Sequence, residues 1–223
     1  MAKIPMPIYQ SDYAVSSHQL SKILESDEAF EEVYYQTKRN PPTKAMLQGT
    51  LVHTLLLEPH LLDKEYEQIG KESGFTKMKL QKIKTMVMNS DSAGLLKWKD
   101  SLIEESFFTD YLHDETHMSF RARPDLIILD KESILVDVKT ISGLERADDS
   151  IKNYNYDFQL SFYKWILQRN DITVDKVCII WVDHRNMKTA LQYLSHKTLK
   201  VGHALVSHAF DLYSNWLIKQ RGN

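Results

Sequence analysis

The 223-residue chain has one cysteine, Cys178. A single thiol excludes an intramolecular disulfide, a cysteine-rich zinc site and a four-cysteine iron–sulfur cluster. Its neighbours, Val177-Cys178-Ile179-Ile180-Trp181-Val182, make it a small buried hydrophobe rather than a nucleophile. Glycine and proline are few and scattered, so there is no low-complexity linker, and no internal repeat is visible. One domain over residues 1–223 is the expectation. No apolar run approaches the ~18 residues that cross a bilayer, and Met1–Gln10 lacks the apolar core of a signal peptide. No membrane partner and a cytoplasmic, reducing location are therefore expected. An excess of positive charge is missing too: 28 Lys and Arg against 30 Asp and Glu leave a net charge of −2. Any polyanion must then be held by a local patch. One candidate is Lys71, Lys77, Lys79, Lys82, Lys84, Lys97 and Lys99, opposed within that segment only by Glu72 and Asp91; a solvated helix face is the plainer alternative.

What is present suffices for a full hydrophobic core, with 43% apolar and 26% charged residues. A helical pattern opens at Ser16-Ser17-His18-Gln19-Leu20 and runs to about Gln36, where Asn40-Pro41-Pro42 breaks it. Thr43 caps a second helix, apolar nearly all round, which Glu58-Pro59 ends. A third helical region spans roughly Lys77 to Ser101, with a break near Asn89–Gly94. Short β-rich runs follow at Ile103–Phe108, Thr116–Arg123, Leu126–Leu129 and Ser133–Val138, with a turn at Asp130-Lys131-Glu132. Helical spacing returns over Asn155–Leu167. Lys176–Val182 reads as a strand buried on both faces, Thr189–Leu194 as another, and Ser195–Lys219 as a closing amphipathic helix. Helices followed by a mixed central sheet with one crossover helix give an α/β fold, helical in its N-terminal part.

Chemistry concentrates at Arg123-Pro124-Asp125 and, twelve residues on, Asp137-Val138-Lys139. On a strand, alternation puts Leu135, Asp137 and Lys139 on one face and Ile134, Val136 and Val138 on the other. An acid and a lysine on so apolar a strand are costly to bury unless paired or metal-bound. Two carboxylates and a lysine can hold a hard divalent cation, which prefers oxygen ligands, and orient a water against a phosphodiester. On spacing alone, a plain Asp–Lys ion pair on a sheet surface fits as well. Gln159 and Tyr163 share a helix face, and an amide there could hold the lysine or a phosphate oxygen. His53 sits in Gly49-Thr50-Leu51-Val52-His53-Thr54-Leu55-Leu56-Leu57-Glu58-Pro59. A lone histidine on an apolar helix is more often a satisfied core residue than a ligand. Gly49, one turn earlier, would let another backbone or a substrate approach that face.

Taken in order, Ser-Ser-x-x-Leu, Gly-Thr-x-x-His-x-Leu-Leu-Leu-Glu-Pro, Arg-x-Arg-Pro-Asp, Asp-x-Lys and Gln-x-x-x-Tyr resemble the exonuclease VIII (RecE-type) phage recombination nucleases of the PD-(D/E)xK superfamily. The resemblance covers about Ser16 to Tyr163. It implies a PD-(D/E)xK core with Asp125 and Asp137 as metal ligands, assisted by the Val138 carbonyl and by His53. It implies that Lys139 orients or deprotonates the attacking water, with Gln159 and Tyr163 in support. Glu104 or Glu105 would supply a supporting carboxylate, and the sequence leaves the choice open. Ser16 and Ser17 at a helix start could donate to a phosphate, with ordinary capping equally open, and Arg121 and Arg123 could grip DNA phosphates, with pairing to acids as the alternative. The resemblance further implies Mg²⁺ as cofactor with Mn²⁺ as substitute, and 5′→3′ digestion of linear double-stranded DNA to leave a 3′ single strand in phage-type recombination. A ring-like homo-oligomer, a single-strand annealing protein as partner and a bacterial cytoplasm also follow from it. Two rivals remain at this stage. A resolvase- or restriction-type endonuclease of the same superfamily would cut closed circles, and a non-catalytic DNA-binding protein on a nuclease fold would cut nothing.

Overall fold

The centre of the fold is a five-stranded sheet, because the two most apolar strands lie side by side and every other layer packs on them. The structure, a computed structural model, describes residues 13–36 and 41–222; Met1–Gln10 and Asn40 lie outside the described residues. Helix α1 (Ser17–Lys22) opens with a reciprocal cap: the Ser16 hydroxyl accepts the Gln19 N–H while the Gln19 side chain accepts the Ser16 N–H. Ser26 caps α2 (Asp27–Tyr34), so the single helix expected over 16–36 is two. Thr43 caps α3 (Lys44–Leu57) as expected, and Pro59 starts a 3₁₀ turn, Pro59–Leu61. Helix α4 (Leu62–Ser73) was not anticipated; it ends at Gly74, whose φ of 69° suits a residue without Cβ. Helices α5 (Lys77–Met88) and α6 (Ser92–Leu96) follow, with the break where it was expected.

Strands β1 (Ser101–Ile103), β4 (Leu126–Ile128), β5 (Ile134–Ile141), β6 (Lys176–Asp183) and β7 (Lys188–Tyr193) form the sheet in the order β1-β4-β5-β6-β7. Only β5 and β6 are parallel. Their connection contains a 3₁₀ turn (Leu144–Arg146) and two helices, α7 (Ala147–Asn153) and α8 (Tyr156–Arg169), rather than one. The run Ile103–Phe108 is not one strand: β1 stops at Ile103, and β2 (Phe107–His113) pairs instead with β3 (Thr116–Ala122) in a separate hairpin. A final long helix, α9 (His196–Gly222), closes the chain.

Both sheet faces are covered. Val136, Val138 and Ile180 meet Leu51, Leu55, Ile83 and Val87 of α3 and α5. Leu135, Ile179 and Trp181 meet Phe158, Phe162, Ile166, Phe210 and Trp216 of α8 and α9. Each such large apolar side chain contributes about 1.5–3 kcal/mol on leaving water. Two-sided burial explains why β6 reads as continuous apolar sequence, and Cys178 in it is fully buried. Burial pushes its thiol up to about 12, so it stays an inert hydrophobe. Among the described residues no helix is long and apolar enough to cross a membrane.

Candidate active site

Strand β5 supplies the first half of the site. Alternation sends Asp137 and Lys139 toward the α8 face, and the Lys139 ammonium lies 2.8 Å from Asp137 Oδ2. The same ammonium sits 4.9 Å from the ring centroid of Tyr156. Asp137 is only 1% exposed; its Oδ2 is engaged by the Lys139 ammonium, while its Oδ1 has no hydrogen-bond partner among the described residues. A carboxylate buried with unfilled acceptor sites is costly, and it is suited to receive a ligand.

Strand β4 supplies the second half through its start. The ladder pairs Leu126 with Val136, so Asp125 lies one residue beyond it, beside Asp137. Pro124, which has no N–H to give the ladder, marks that end. Asp125 Oδ2 accepts the N–H of Val138 at 2.7 Å. The N–H and C=O of one strand residue point to the same edge, so the Val138 carbonyl faces the Asp125 side of β5.

Two more elements close the cluster. His53, on α3, brings Nε2 to 3.0 Å from Asp125 Oδ1 and 3.1 Å from Glu104 Oε1. Gly49 of α3 faces β5, where a Cβ would stand 3.4 Å from Thr140 Oγ1, an ordinary contact. Glu104, just past β1, has φ of 54°, a left-handed turn that costs roughly 1 kcal/mol or more. Its N–H donates to the Asp125 carbonyl at 3.1 Å, and its Oε2 accepts from Arg123 Nε at 2.9 Å. Glu104, not Glu105, is therefore the acid brought into the cluster.

Three acids (Glu104, Asp125, Asp137) thus face three cations (His53, Arg123, Lys139). Burial and the Asp125 charge push the Asp137 carboxyl up to about 6, against the pull of Lys139. Burial works against ionised Asp125 as well, but His53 and Lys139 hold it below its ordinary value. Burial also disfavours the His53 charge; Asp125 and Glu104 overcome it and lift the imidazole to about 9. Lys139 is likewise disfavoured by burial, and Asp137 and Asp125 keep it above the ordinary lysine range. Glu104 is raised, first by burial.

His53, Glu104 and Asp125 each offer a ligand atom, all within 4.8 Å of one another. With the unpartnered Asp137 Oδ1 alongside, this hard-oxygen set with one imidazole fits a divalent cation.

The remaining expected residues fall into two groups. Gln159 and Tyr163 of α8 bond to each other, Gln159 Nε2 donating to Tyr163 Oη at 3.0 Å. Burial and the charges of Asp137 and Asp125, against Lys139, push Tyr163 up to about 12. Both belong to the helix that faces Asp137. Ser16 is engaged in the α1 cap, and Ser17 is buried beside a small cleft of about 340 Å³. Arg121 is buried and its Nη2 reaches Gln19 Oε1 at 3.4 Å, and Arg123 is the buried partner of Glu104. None of the seven basic-segment lysines lines the main cleft of about 1440 Å³ that His53, Glu104, Val138 and Lys139 border; Lys77 pairs with Asp63 at 2.7 Å. Tyr156, and Arg146 and Arg185 along the cleft, were not anticipated. Nothing in the pattern Asn153-Tyr154-Asn155-Tyr156 marks the tyrosine as a neighbour of Lys139.

The family described as a PDDEXK-like domain of unknown function (DUF3799) matches residues 16–220. The chain belongs to this family. Pro124-Asp125 and Asp137-Val138-Lys139 meet the Pro-Asp and acid-x-Lys that give the PDDEXK-like domain its name. A structure from Eubacterium rectale titled “Putative exonuclease” superposes with a TM-score of 0.74 at 12% identity, covering 96% of this chain and 86% of that one. That likeness shows the fold. The structure titled SSO0001 aligns at a TM-score of 0.37 and 14% identity, over 87% of this chain and 85% of that one, too loosely to support an argument. No curated protein sequence matches.

Proposed function

We propose that this PDDEXK-like domain is a divalent-metal-dependent exodeoxyribonuclease of the RecE type. On this reading it degrades linear double-stranded DNA 5′→3′ and leaves a 3′ strand for a single-strand annealing partner in phage-type recombination, acting as a ring-like homo-oligomer. The observation that carries the catalytic part is the convergence of His53, Glu104, Asp125 and the buried Asp137–Lys139 pair, at the wall of a large cleft. The superposed structure bears an exonuclease title, which favours attack at ends over attack within a strand.

Asp125, Asp137, His53 and the Val138 carbonyl would hold the cation, Mg²⁺ or Mn²⁺, with Glu104 alongside. When bound, such an ion polarises the scissile phosphate and lowers the pKa of a coordinated water. Lys139 is held charged by the two acids, so its ammonium positions the attacking water and stabilises charge developing on the phosphoryl oxygens. Tyr163, with Gln159 as its donor, is close enough to feel the charges of Lys139 and Asp137, and the pair would support Lys139. Arg123 donates to Glu104 and holds it aimed at His53.

The test is digestion of linear duplex DNA, labelled at the 5′ or at the 3′ end, with Mg²⁺, beside a closed circle. Immediate release of the 5′ label with an intact circle is expected. Cutting of the circle would replace the exonuclease by an endonuclease, and no cutting of either would leave a DNA-binding fold without catalysis.

A further inference from the structure

The wall beside Lys139 is aromatic. Tyr154 caps the end of α7, Asn155 turns the chain at φ of 55°, and Tyr156 opens α8. Asparagine tolerates this left-handed corner better than most residues, and the corner sets the two tyrosines on one rim. Their ring centroids are 5.7 Å apart with planes inclined by 30°. Behind them, Tyr156 lies 5.9 Å from Trp181, so an aromatic row runs from the sheet core out to solvent. Its middle member, Tyr156, lies under the Lys139 ammonium, and its outer member, Tyr154, is 65% exposed. Both tyrosines line the main cleft and the smaller one beside α1. They are the ridge between the two.

We propose that Tyr154 is the stacking platform for an unpaired nucleobase of the strand entering the site. The proposal deepens the nuclease reading and rests on it. The exposed ring stands where the cleft passes from the charged cluster at His53, Glu104 and Lys139 to the outside, with a face open to a flat ligand. Nucleobases stack on tyrosine whatever their sequence, which suits an enzyme that must accept every base. Tyr156 and Lys139 stand between the ring and Asp137, so a base on Tyr154 would flank the scissile phosphate rather than cover it. The ridge also gives one duplex end two exits, the large cleft for the cut strand and the small cleft on the α1 side for its partner.

The experiment walks one stable abasic nucleotide through the terminal positions of a linear duplex, and compares wild type with Tyr154→Ala and Tyr154→Phe. Wild type is expected to slow about five- to 150-fold when the abasic position reaches the platform, the worth of one stacked base. Tyr154→Ala should slow by a similar factor on ordinary DNA and show no further loss at the abasic position, and Tyr154→Phe should behave as wild type. An unchanged melting temperature, expected for so exposed a residue, separates this from misfolding. Full-speed digestion by Tyr154→Ala, undiminished abasic discrimination in that variant, or a wild type indifferent to abasic positions would each overturn the platform while leaving the nuclease intact. A wild type that digests no DNA with Mg²⁺ or Mn²⁺ would remove the nuclease reading and the platform with it.

Discussion

Asp137→Asn should give a protein that is inactive and, without metal, more stable than wild type. Burial and the neighbouring Asp125 raise the Asp137 carboxyl from the ordinary 3.8 to about 6. A raised folded-state pKa on an acid is a penalty: it is absent below about pH 4, grows as the carboxyl ionises between pH 4 and 6, and is fully felt above pH 6. At about 1.36 kcal/mol per unit, the metal-free fold forgoes on the order of 1–3 kcal/mol at neutral pH. The asparagine keeps the shape and removes the charge. Urea unfolding in EDTA is the assay, at pH 4 and at pH 7.5. At pH 7.5 Asp137→Asn should exceed wild type by that margin, and at pH 4 the two should converge. Saturating Mg²⁺ should reverse the order, since only wild type keeps the full ligand set to gain from binding. Equal or lower stability of the variant in EDTA at pH 7.5 would refute the reasoning, for Asp137 would then be well satisfied by Lys139 alone.

Three further outcomes are expected. Lys139→Ala should lower the rate of DNA digestion about 10²–10⁴-fold in a steady-state assay, with metal affinity by calorimetry retained. Glu104→Gln should weaken Mn²⁺ binding about 10- to 100-fold by the same calorimetry, whereas Glu105→Gln should leave it unchanged. Gly202→Ala should cost about 1–3 kcal/mol and lower the melting temperature by several degrees. The reason is that a Cβ there would stand 2.1 Å from the Asp157 carbonyl oxygen, where α9 crosses α8.

The sequence exposes the parts of this protein that regular periodicity builds. The alternation in Ile134–Lys139 separates Asp137 and Lys139 from the apolar face, and β5 has that arrangement. Thr43 and Glu58-Pro59 bracket α3 because caps and breakers act locally. The gaps have physical causes as well. Helix α4 carries only Leu62, Tyr66 and Ile69 on its inner row, among acids, lysines and a glutamine, so its apolar signal is thin. Ser26 reads as helix interior until its hydroxyl is seen to cap Ala29. The choice between Glu104 and Glu105 turned on one left-handed residue, which interrupts the period of two and splits the expected strand. Tyr156 reaches Lys139 only through the folding of α8 against β5, a contact 17 residues apart that no local pattern encodes. Arg121 and Arg123 are both buried, Arg121 reaching Gln19 and Arg123, beyond the end of β3, pairing with Glu104.

Crystals grown with Mn²⁺ and measured at an anomalous wavelength would place the cation itself. An anomalous peak within about 2–2.6 Å of oxygens of Asp125 and Asp137, with His53 Nε2 turned onto it, is the expected result. No peak at this cluster at millimolar Mn²⁺, or a peak elsewhere while His53 stays bonded to Glu104 and Asp125, would contradict the metal centre on which the proposed activity depends.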